Sequence, residues 1–159
     1  MTDFTYAPGR FVAVCSGATI AMLDRSVEHP LVTLVWDAAA AGSDLDDLLE
    51  ILISEGLRAV PAFALARRDD DGGVRVVVRG ALAVTVDDSQ PVTGQGLWTD
   101  QRLHGDRLAV ATLDADPEDA AWLPLQGGVV AASGVRWVAQ AGPSPVEAVA
   151  TVWMRWPPG

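Results

Sequence analysis

The chain has 159 residues, half of them hydrophobic, and this length and composition suit one self-folding domain with its own core. Its net charge is −10, from 21 acidic and 11 basic residues, and every basic residue is Arg because the chain contains no Lys. Proteins bind phosphate backbones and anionic lipid surfaces by neutralising their charge, so this composition argues against nucleic acid and membrane surfaces as partners.

The first predicted elements are two short strands joined by a turn. Residues 11–15 and 19–23 are mostly apolar, and the turn residues Ser16 and Gly17 lie between them, which is typical of a β-hairpin. The only cysteine, Cys15, belongs to the first strand, and a lone thiol in such a stretch is usually a small buried side chain. It has no partner for an intrachain disulfide, which fits a reducing compartment.

Two helices are predicted next, and together they make a helical hairpin near residues 30–55. Pro30 suits a first helical position, apolar residues then recur at helical spacing, and Gly42 can end the helix. The second helix is predicted over residues 43–55, with Ser43 as its N-terminal cap. Aspartates in its first turn complement the helix dipole, and leucines share one face, so this helix is amphipathic.

Apolar runs alternate with turn residues over the rest of the chain and predict a series of strands. Residues 57–67 and 74–79 flank the Asp-Gly-rich segment 69–73, which is typical of a tight hairpin turn. Gly80 indicates a bulge or second turn, and residues 87–96 have the composition of a surface loop. Further strands are predicted at residues 81–86, 97–103, 107–113, 129–132 and 135–139.

Two interpretations of the C-terminal region stay open. A capping box at residues 144–147, with Pro145 at the first helical position, favours a helix. Apolar residues also alternate over residues 146–156 as they would in a strand. Residues 157–159, Pro-Pro-Gly, can continue neither and are expected to begin a Pro-rich linker.

The predicted fold is α+β and predominantly antiparallel β, because strands recur about every 8–12 residues, as in a sandwich or barrel-like domain. It has the helical hairpin and a possible C-terminal helix, in a single globular domain over residues 1–156. The N-terminus lacks the pattern of a secretory signal, and no apolar run reaches the roughly 18 residues of a membrane span. We therefore expect a cytoplasmic protein without membrane insertion.

The acidic clusters offer a first candidate site. Asp114 and Asp116 have the spacing of a metal-binding Asp-x-Asp, with Glu118 and Asp119 close by. A calcium loop, however, needs alternate ligands, a central glycine and a closing Glu in fixed register, which neither this segment nor residues 69–73 provide. We interpret both clusters as solvated turns or loops.

Other catalytic and binding patterns are equally incomplete. Neither His29 nor His104 has a second His or a Cys at a metal-ligand spacing. No nucleophile elbow is present, and a triad of Cys15, His104 and an Asp could arise only through the fold. The glycines of residues 94–96 lack the third glycine and the helix of a dinucleotide loop. We expect no catalytic residue, no metal and no cofactor.

Tryptophan is abundant, with six residues in the chain. Trp is favoured in cores and at the centres of interfaces, and most of these side chains are expected in the core. Trp153 and Trp156 cannot both share the apolar face of a C-terminal helix. We therefore name Trp153 and Trp156 as candidate interaction residues.

Several short segments carry a family resemblance. They are Tyr-Ala-Pro-Gly-Arg at 6–10, the leucine-rich 45–49, and the apolar or glycine-containing stretches 57–65, 74–80, 122–125 and 127–130. Their order resembles the N-terminal regions of actinobacterial proteins that carry a forkhead-associated (FHA) phosphothreonine-reading domain further along. The resemblance implies an accessory module that accompanies a phospho-reader. The chain is not itself such a reader, because the FHA peptide site uses an Asn and this chain has none.

The leading hypothesis is a non-enzymatic protein–protein interaction or assembly module in a phospho-signalling protein, which binds a protein partner or itself. The absent catalytic motifs, the excess of Trp and the linker-like end support it. One alternative is a small-ligand-binding β-domain whose mouth is lined by Trp and Arg. A second is an enzyme in which distant Asp or Glu residues converge as acid and base.

Overall fold

The computed structural model describes residues 3–54, 56–69, 71–87, 89–113 and 122–138. The helices are α1 (Pro30–Ala40) and α2 (Leu45–Ile53), followed by a 3-10 turn at Leu57–Ala59. The strands are β1 (Asp3–Ser16), β2 (Thr19–Leu23), β3 (Phe63–Arg68), β4 (Gly73–Arg79), β5 (Leu82–Val86), β6 (Val92–Thr93), β7 (Thr99–His104), β8 (Arg107–Thr112), β9 (Leu123–Leu125) and β10 (Gly128–Val138). The predicted α+β class, the barrel-like antiparallel sheet and the helical hairpin are confirmed.

The ten strands of the described ranges form one antiparallel sheet that curls into a nearly closed barrel. Their order is β6-β5-β8-β10-β1-β2-β3-β4-β7, and β9 pairs with β1. Strand β1 pairs with β10 along most of its length, while its other edge pairs first with β9 and then with β2. Strands β6 and β7 are therefore the two ends of the sheet.

Two apolar cores lie on opposite faces of this sheet. The interior core fills the barrel and includes Phe4, Cys15, Ile20, Met22, Val76, Leu82, Val110 and Trp137. The outer core lies between the two helices and the outside of β1 to β4 and includes Val14, Leu23, Val35, Leu48, Leu52, Phe63, Leu65 and Val77. Strand β2 and residues 63–66 of β3 are buried on both faces and almost entirely apolar. Strands β5 and β8 alternate instead, because only one of their faces is buried.

The cap of α2 differs from the prediction. Asp44, not Ser43, is the N-cap residue, and its Oδ1 accepts the backbone N–H of Asp47 at 3.1 Å. The carbonyl of Ser43 instead accepts a hydrogen bond from Arg67 Nη1 at 3.0 Å. The prediction of Ser43 was wrong because both residues are good caps, and the local sequence does not say which one takes the extended backbone conformation.

Substituting Asp44 with Ala is expected to lower the free energy of unfolding by about 1 kcal/mol, because it removes the cap acceptor. The matched change Ser43→Ala should alter it by less than about 0.5 kcal/mol, since the carbonyl bonded by Arg67 is retained. Urea unfolding of both variants measures the difference. Equal losses in the two variants would contradict the assignment of Asp44 as the cap.

Other boundaries also differ from the predictions. The strand predicted from residue 57 begins only at Phe63, because a 3-10 turn occupies Leu57–Ala59. The two strands predicted over 129–132 and 135–139 are one strand, β10. Strand β1 begins well before residue 11, and the short strands β6 and β9 were not predicted.

A β-bulge explains why β1 and β10 are longer than predicted. The register between them shifts between Ala7 and Phe11 on β1, opposite Ala132 and Gly134 on β10. The hydroxyl of Ser133 donates to the carbonyl of Pro8 at 3.2 Å across the bulge. Residues with turn composition therefore lie inside continuous strands.

The predicted turn residues around β4 are confirmed. Gly72 and Gly80 both have φ +87°, a backbone conformation that residues with a side chain rarely adopt. In the β3–β4 hairpin the backbone N–H of Asp69 donates to the carbonyl of Gly73 at 2.7 Å. Gly80 then turns the chain from β4 into β5.

Candidate functional site

One part of the sheet lies away from the helices. Helices α1 and α2 pack on β1 and β3, and the residues of the outer core come from that side of the sheet. Cross-strand partners on the outside of β5, β8 and β10 form two short rows. These rows are Thr85, Ala109 and Arg136, and Ala83, Ala111 and Gly134. We call these six residues the uncovered face, since none of them belongs to the outer core of the described residues.

Trp122 and Arg136 form a stacked pair on the uncovered face. The guanidinium carbon of Arg136 lies 3.7 Å from the centroid of the Trp122 ring. A Cβ on Gly134 would lie 3.2 Å from Cη2 of Trp122, so the glycine gives the indole room against β10. Trp122 is half-buried and Arg136 is exposed. The pair thus combines an aromatic surface with an accessible positive charge.

A cleft of about 240 Å³ opens beside this pair, where β8 begins and β5 ends. Its lining includes Thr85, Asp87, Arg107, Ala109, Arg136 and Trp137, and we call it the arginine cleft. Since Thr85, Ala109 and Arg136 also belong to the uncovered face, the cleft is an extension of that face. The sheet register places Thr85, Ala109 and Arg136 side by side, although they come from three strands.

Asp87 is held firmly at the rim of the arginine cleft. Its Oδ1 accepts the backbone N–H groups of Asp106 and Arg107 at 3.1 and 2.9 Å. The Nε of Arg107 lies 3.9 Å from the same oxygen. A Cβ on Gly105 would lie 2.5 Å from Oδ2 of Asp87, so the turn before β8 packs tightly on this carboxylate. Hydrogen bonds therefore already occupy much of the acceptor capacity of Asp87.

Trp137 follows Arg136 on β10, and its side chain lies on the opposite face of the sheet, in the interior core. Its side chain is 4% exposed, its ring centroid lies 6.2 Å from that of Phe4, and the guanidinium carbon of Arg68 lies 5.8 Å from it. The Nε1–H group is buried and has no hydrogen-bond partner among the described residues. Buried indole N–H groups usually have a partner, so this donor is an exception.

A second cleft, of about 520 Å³, lies at the other end of β5 and β8. Its lining includes Arg10, Phe11, Asp24, Thr112 and Leu113. Leu113 is 56% exposed. This cleft combines apolar and charged side chains but contains no buried donor without a partner among the described residues.

The candidate interaction residues Trp153 and Trp156 lie outside the described residues, as do Asp114, Asp116, Glu118 and Asp119. The described tryptophans have different positions. Trp137 belongs to the interior core, Trp36 and Trp98 pack against the outer core, and Trp122 lies on the uncovered face.

Cys15 lies in the interior core and is fully buried. Burial raises the pKa of its thiol to about 12, so the thiol stays protonated at neutral pH. A protonated, inaccessible thiol does not suit nucleophilic catalysis.

Of the two histidines, His104 is exposed on β7, and His29 caps α1 through Nδ1, which accepts the N–H of Leu31 at 3.1 Å.

The described aspartates of the β3–β4 turn have structural partners. Asp71 Oδ1 accepts the backbone N–H of Gly73 at 2.9 Å, and this hydrogen bond lowers the pKa of Asp71. Asp69 pairs with Arg102. Within the part of the chain that the structure describes, no group of three or more His, Cys, Asp or Glu side chains is arranged to hold a metal ion.

Arg75 joins the edge of the sheet to α2. It forms a two-point ion pair with Asp100, with contacts of 3.1 and 2.6 Å, and a further contact of 2.8 Å with Asp46. These carboxylates raise the pKa of Arg75. The polar outside of β7 is therefore occupied by ion pairs that fix the sheet edge.

Sequence reasoning did not identify the arginine cleft. Its residues come from three strands, and only the register places Thr85 beside Ala109 and Arg136. The one usable signal was the abundance of Trp, which pointed to interaction surfaces without locating one.

None of the helices in the described ranges has the length and apolar character needed to cross a bilayer.

A scan against protein-family models, a search of curated proteins and a search of solved structures returned no match to this chain. The fold and the uncovered face are therefore the basis on which a function is proposed.

Proposed function

We propose that the chain is a non-enzymatic interaction module that binds a protein partner, or a second copy of itself, through the uncovered face and the Trp122–Arg136 pair. The observation that carries the proposal is this stacked pair on a sheet face outside the helix layer. Trp and Arg are the side chains most often found at the energetic centre of protein interfaces.

The surroundings of the pair support an interface. Ala83 and Ala111 have small, partly exposed side chains, so a partner can approach the sheet closely beside Trp122. Leu123, which follows the Trp, is 41% exposed and adds apolar surface. An aromatic and aliphatic centre with an Arg at its side is the usual composition of an interface core.

The proposal places the module in a cytoplasmic phospho-signalling protein. The resemblance to the N-terminal regions of actinobacterial FHA-containing proteins supports that setting. The charge of −10 supports a protein rather than a nucleic acid as the partner.

The alternatives have less support. Within the described part of the chain, buried side chains such as Ile20, Met22 and Leu82 fill the barrel interior, which argues against a ligand site there. The described carboxylates Asp46, Asp69 and Asp100 are paired with arginines, whereas an acid–base pair needs carboxylates that face a substrate.

The test compares Trp122→Ala with the unchanged chain in two assays. Light scattering over a range of concentrations reports self-association as a mass above the 16.7 kDa monomer. A pull-down from cells of the native host reports a protein partner. Loss of a hot-spot Trp is expected to weaken whichever complex forms by about tenfold or more.

Arg10→Ala is the matched control, because Arg10 is also exposed but lines the second cleft. It should leave the complex unchanged. A monomer at all concentrations together with no captured partner would contradict the proposal, and so would a complex that Trp122→Ala leaves intact. Circular dichroism of each variant checks that the fold is retained.

A further inference from the structure

Strand β7 has one edge that no strand of the described ranges pairs with. It pairs with β4 on its other side and ends the sheet. Four of its residues are exposed, Asp100, Gln101, Arg102 and His104, although adjacent residues of a strand face opposite sides of a sheet. Exposure on both sides of a strand is typical of an edge that lies in solvent, so the edge of β7 is accessible.

Strand β6, at the other end of the sheet, does not cover this edge. The chain passes from β4 to β5 at Gly80 without pairing these strands, and Val76 of β4 and Val84 of β5 belong to the same interior core. Near the opening of the barrel, a layer of side chains therefore separates the two ends of the sheet, as in stacked sheets about 10 Å apart. The two end strands do not meet edge to edge.

Backbone hydrogen bonds determine which residues of β7 face the unpaired edge. The N–H of Gly105, just beyond the strand, donates to the carbonyl of Gly72 at 3.5 Å. Residues of an antiparallel strand alternate in the side to which they hydrogen-bond, so the odd-numbered residues of β7 bond to β4. The even-numbered residues, Asp100, Arg102 and His104, therefore direct their N–H and C=O groups to the unpaired edge.

Asp100 and Arg102 also carry opposite charges on the outer face of the sheet. Asp100 lies opposite Val77, a residue of the outer core. Asp100 pairs with Arg75, and its side chain remains 40% exposed. Arg102 pairs with Asp69, and its side chain remains 56% exposed. The edge therefore presents one accessible charge of each sign to an added strand.

This charge pattern is complementary to itself in one register. When two copies of β7 pair antiparallel about Gln101, Asp100 of each copy lies opposite Arg102 of the other. Both residues have their backbone groups on the edge, so each such pair can exchange two hydrogen bonds, and opposite charges directly across a sheet are stabilising. Pairing centred on Asp100 or on Arg102 would place like charges opposite each other, which is destabilising.

We propose that the chain forms a twofold-symmetric dimer in which the β7 edges of two copies pair antiparallel about Gln101. A second copy is the partner because the edge matches its own sequence, as a twofold interface requires. The inference goes beyond the proposed function, since β7 does not belong to the uncovered face on β5, β8 and β10. The dimer leaves that face accessible to a protein partner.

Exchange of the two charges tests the dimer by light scattering. The mass of the unchanged chain should rise with concentration toward twice the 16.7 kDa monomer. Arg102→Asp makes both facing positions acidic and Asp100→Arg makes both basic, so each variant alone should dimerise at least about tenfold more weakly. An equimolar mixture of the two variants should recover the dimer, because each acidic edge then faces a basic edge.

Arg10→Asp is the matched control for net charge. Arg10 is exposed and lines the second cleft, so this variant should keep the dimer. A monomer at all concentrations, an unaltered dimer in Arg102→Asp, or a mixture of folded variants that stays monomeric would each overturn the proposal. Circular dichroism establishes which variants are folded.

Gln101→Cys tests the register and does not depend on the charge variants. Gln101 lies opposite its own copy as a non-hydrogen-bonded pair, in which Cα atoms are about 4.5 Å apart and a disulfide can form. Copper phenanthroline should therefore cross-link this variant into a covalent dimer, whereas Cys15 is buried. If no cross-link formed at residue 101, the proposed register would be wrong, even where a charge variant had failed to fold.

The edge dimer and the proposed function fail in different ways. The Trp122 assays are made in the Arg102→Asp chain, in which the edge dimer is absent. If Arg102→Asp has no effect while Trp122→Ala abolishes a complex, the edge dimer is wrong and the interaction function stands. If the edge dimer is found but no complex depends on Trp122, the interaction function is contradicted instead.

Discussion

Replacing Gly9 with Ala is expected to lower the free energy of unfolding by about 3 kcal/mol, because the new methyl group has no space in the β1–β10 bulge. A Cβ at this position would lie 2.4 Å from the backbone nitrogen of Ser133 and 2.7 Å from the carbonyl carbon of Ala132. Both atoms belong to the backbone of β10, so the clash can be relieved only if β1 and β10, the two longest strands, move apart.

The matched control for Gly9 is Gly17→Ala in the β1–β2 turn. Gly17 has φ +54°, and a Cβ added there would have no neighbouring atom within 4 Å. Ala at this position therefore adopts a strained backbone conformation but clashes with nothing. Its cost should be about 1 kcal/mol. Thermal unfolding distinguishes them, since a loss of about 3 kcal/mol lowers the midpoint by roughly 6–12 °C for a chain of this size. A Gly9→Ala variant no less stable than Gly17→Ala would show that the strands are not packed as described.

Truncating Leu48 to Ala is expected to lower the free energy of unfolding by about 3 kcal/mol. Leu48 is fully buried on α2 and belongs to the outer core between the helices and the sheet. Its removal leaves a cavity against strands that are also buried on their interior face, and such strands have little freedom to collapse into the space.

Leu34→Ala is the control for Leu48, because it is the same substitution in a helix. Leu34 lies on α1 and is 50% exposed, so its loss should change the stability by less than about 0.5 kcal/mol. Chemical denaturation with both far-ultraviolet and tryptophan signals measures the two variants. If Leu48→Ala destabilised only the transition seen in the far-ultraviolet signal and left the tryptophan transition unchanged, the helix layer would unfold as a separate unit. That result would contradict the shared core.

Local patterns were sufficient to predict much of the fold. The leucines of α2 recur at helical spacing because one face meets the outer core, and the apolar runs of β2 and β3 reflect burial on both faces. The turn at Gly72 was predictable because few other residues adopt its positive φ. In each case the signal and its cause lie within a few residues of each other.

The predicted strand bounds were wrong where residues distant in sequence determine the structure. Ser133 and Gly134 have turn composition, yet they continue β10 because the bulge at Gly9 accommodates them. Strand β6 has only two residues, Val92 and Thr93, which is too short for a periodic pattern. The strand bounds therefore depend on pairing partners that a local pattern does not contain.

The candidate site was less predictable than the fold for the same reason. Thr85, Ala109 and Arg136 are neighbours through the register of β5, β8 and β10, and the sequence between them gives no sign of this. That Trp137 Nε1 has no partner among the described residues is likewise a property of packing alone. Composition indicated an abundance of Trp, and only the fold shows that Trp122 stacks on Arg136.

The pairing of β1 with β10 also determines when the barrel can close during synthesis. Asp3 and Phe4 are synthesised well before their strand partners, Val138 and Trp137. The β1–β2 and β3–β4 hairpins can form early, because their strands are neighbours in sequence. Until β10 emerges, one edge of β1 stays open and can pair with other chains. Strand β1 therefore has an unpaired edge that can bind other chains from its own synthesis until β10 has been made.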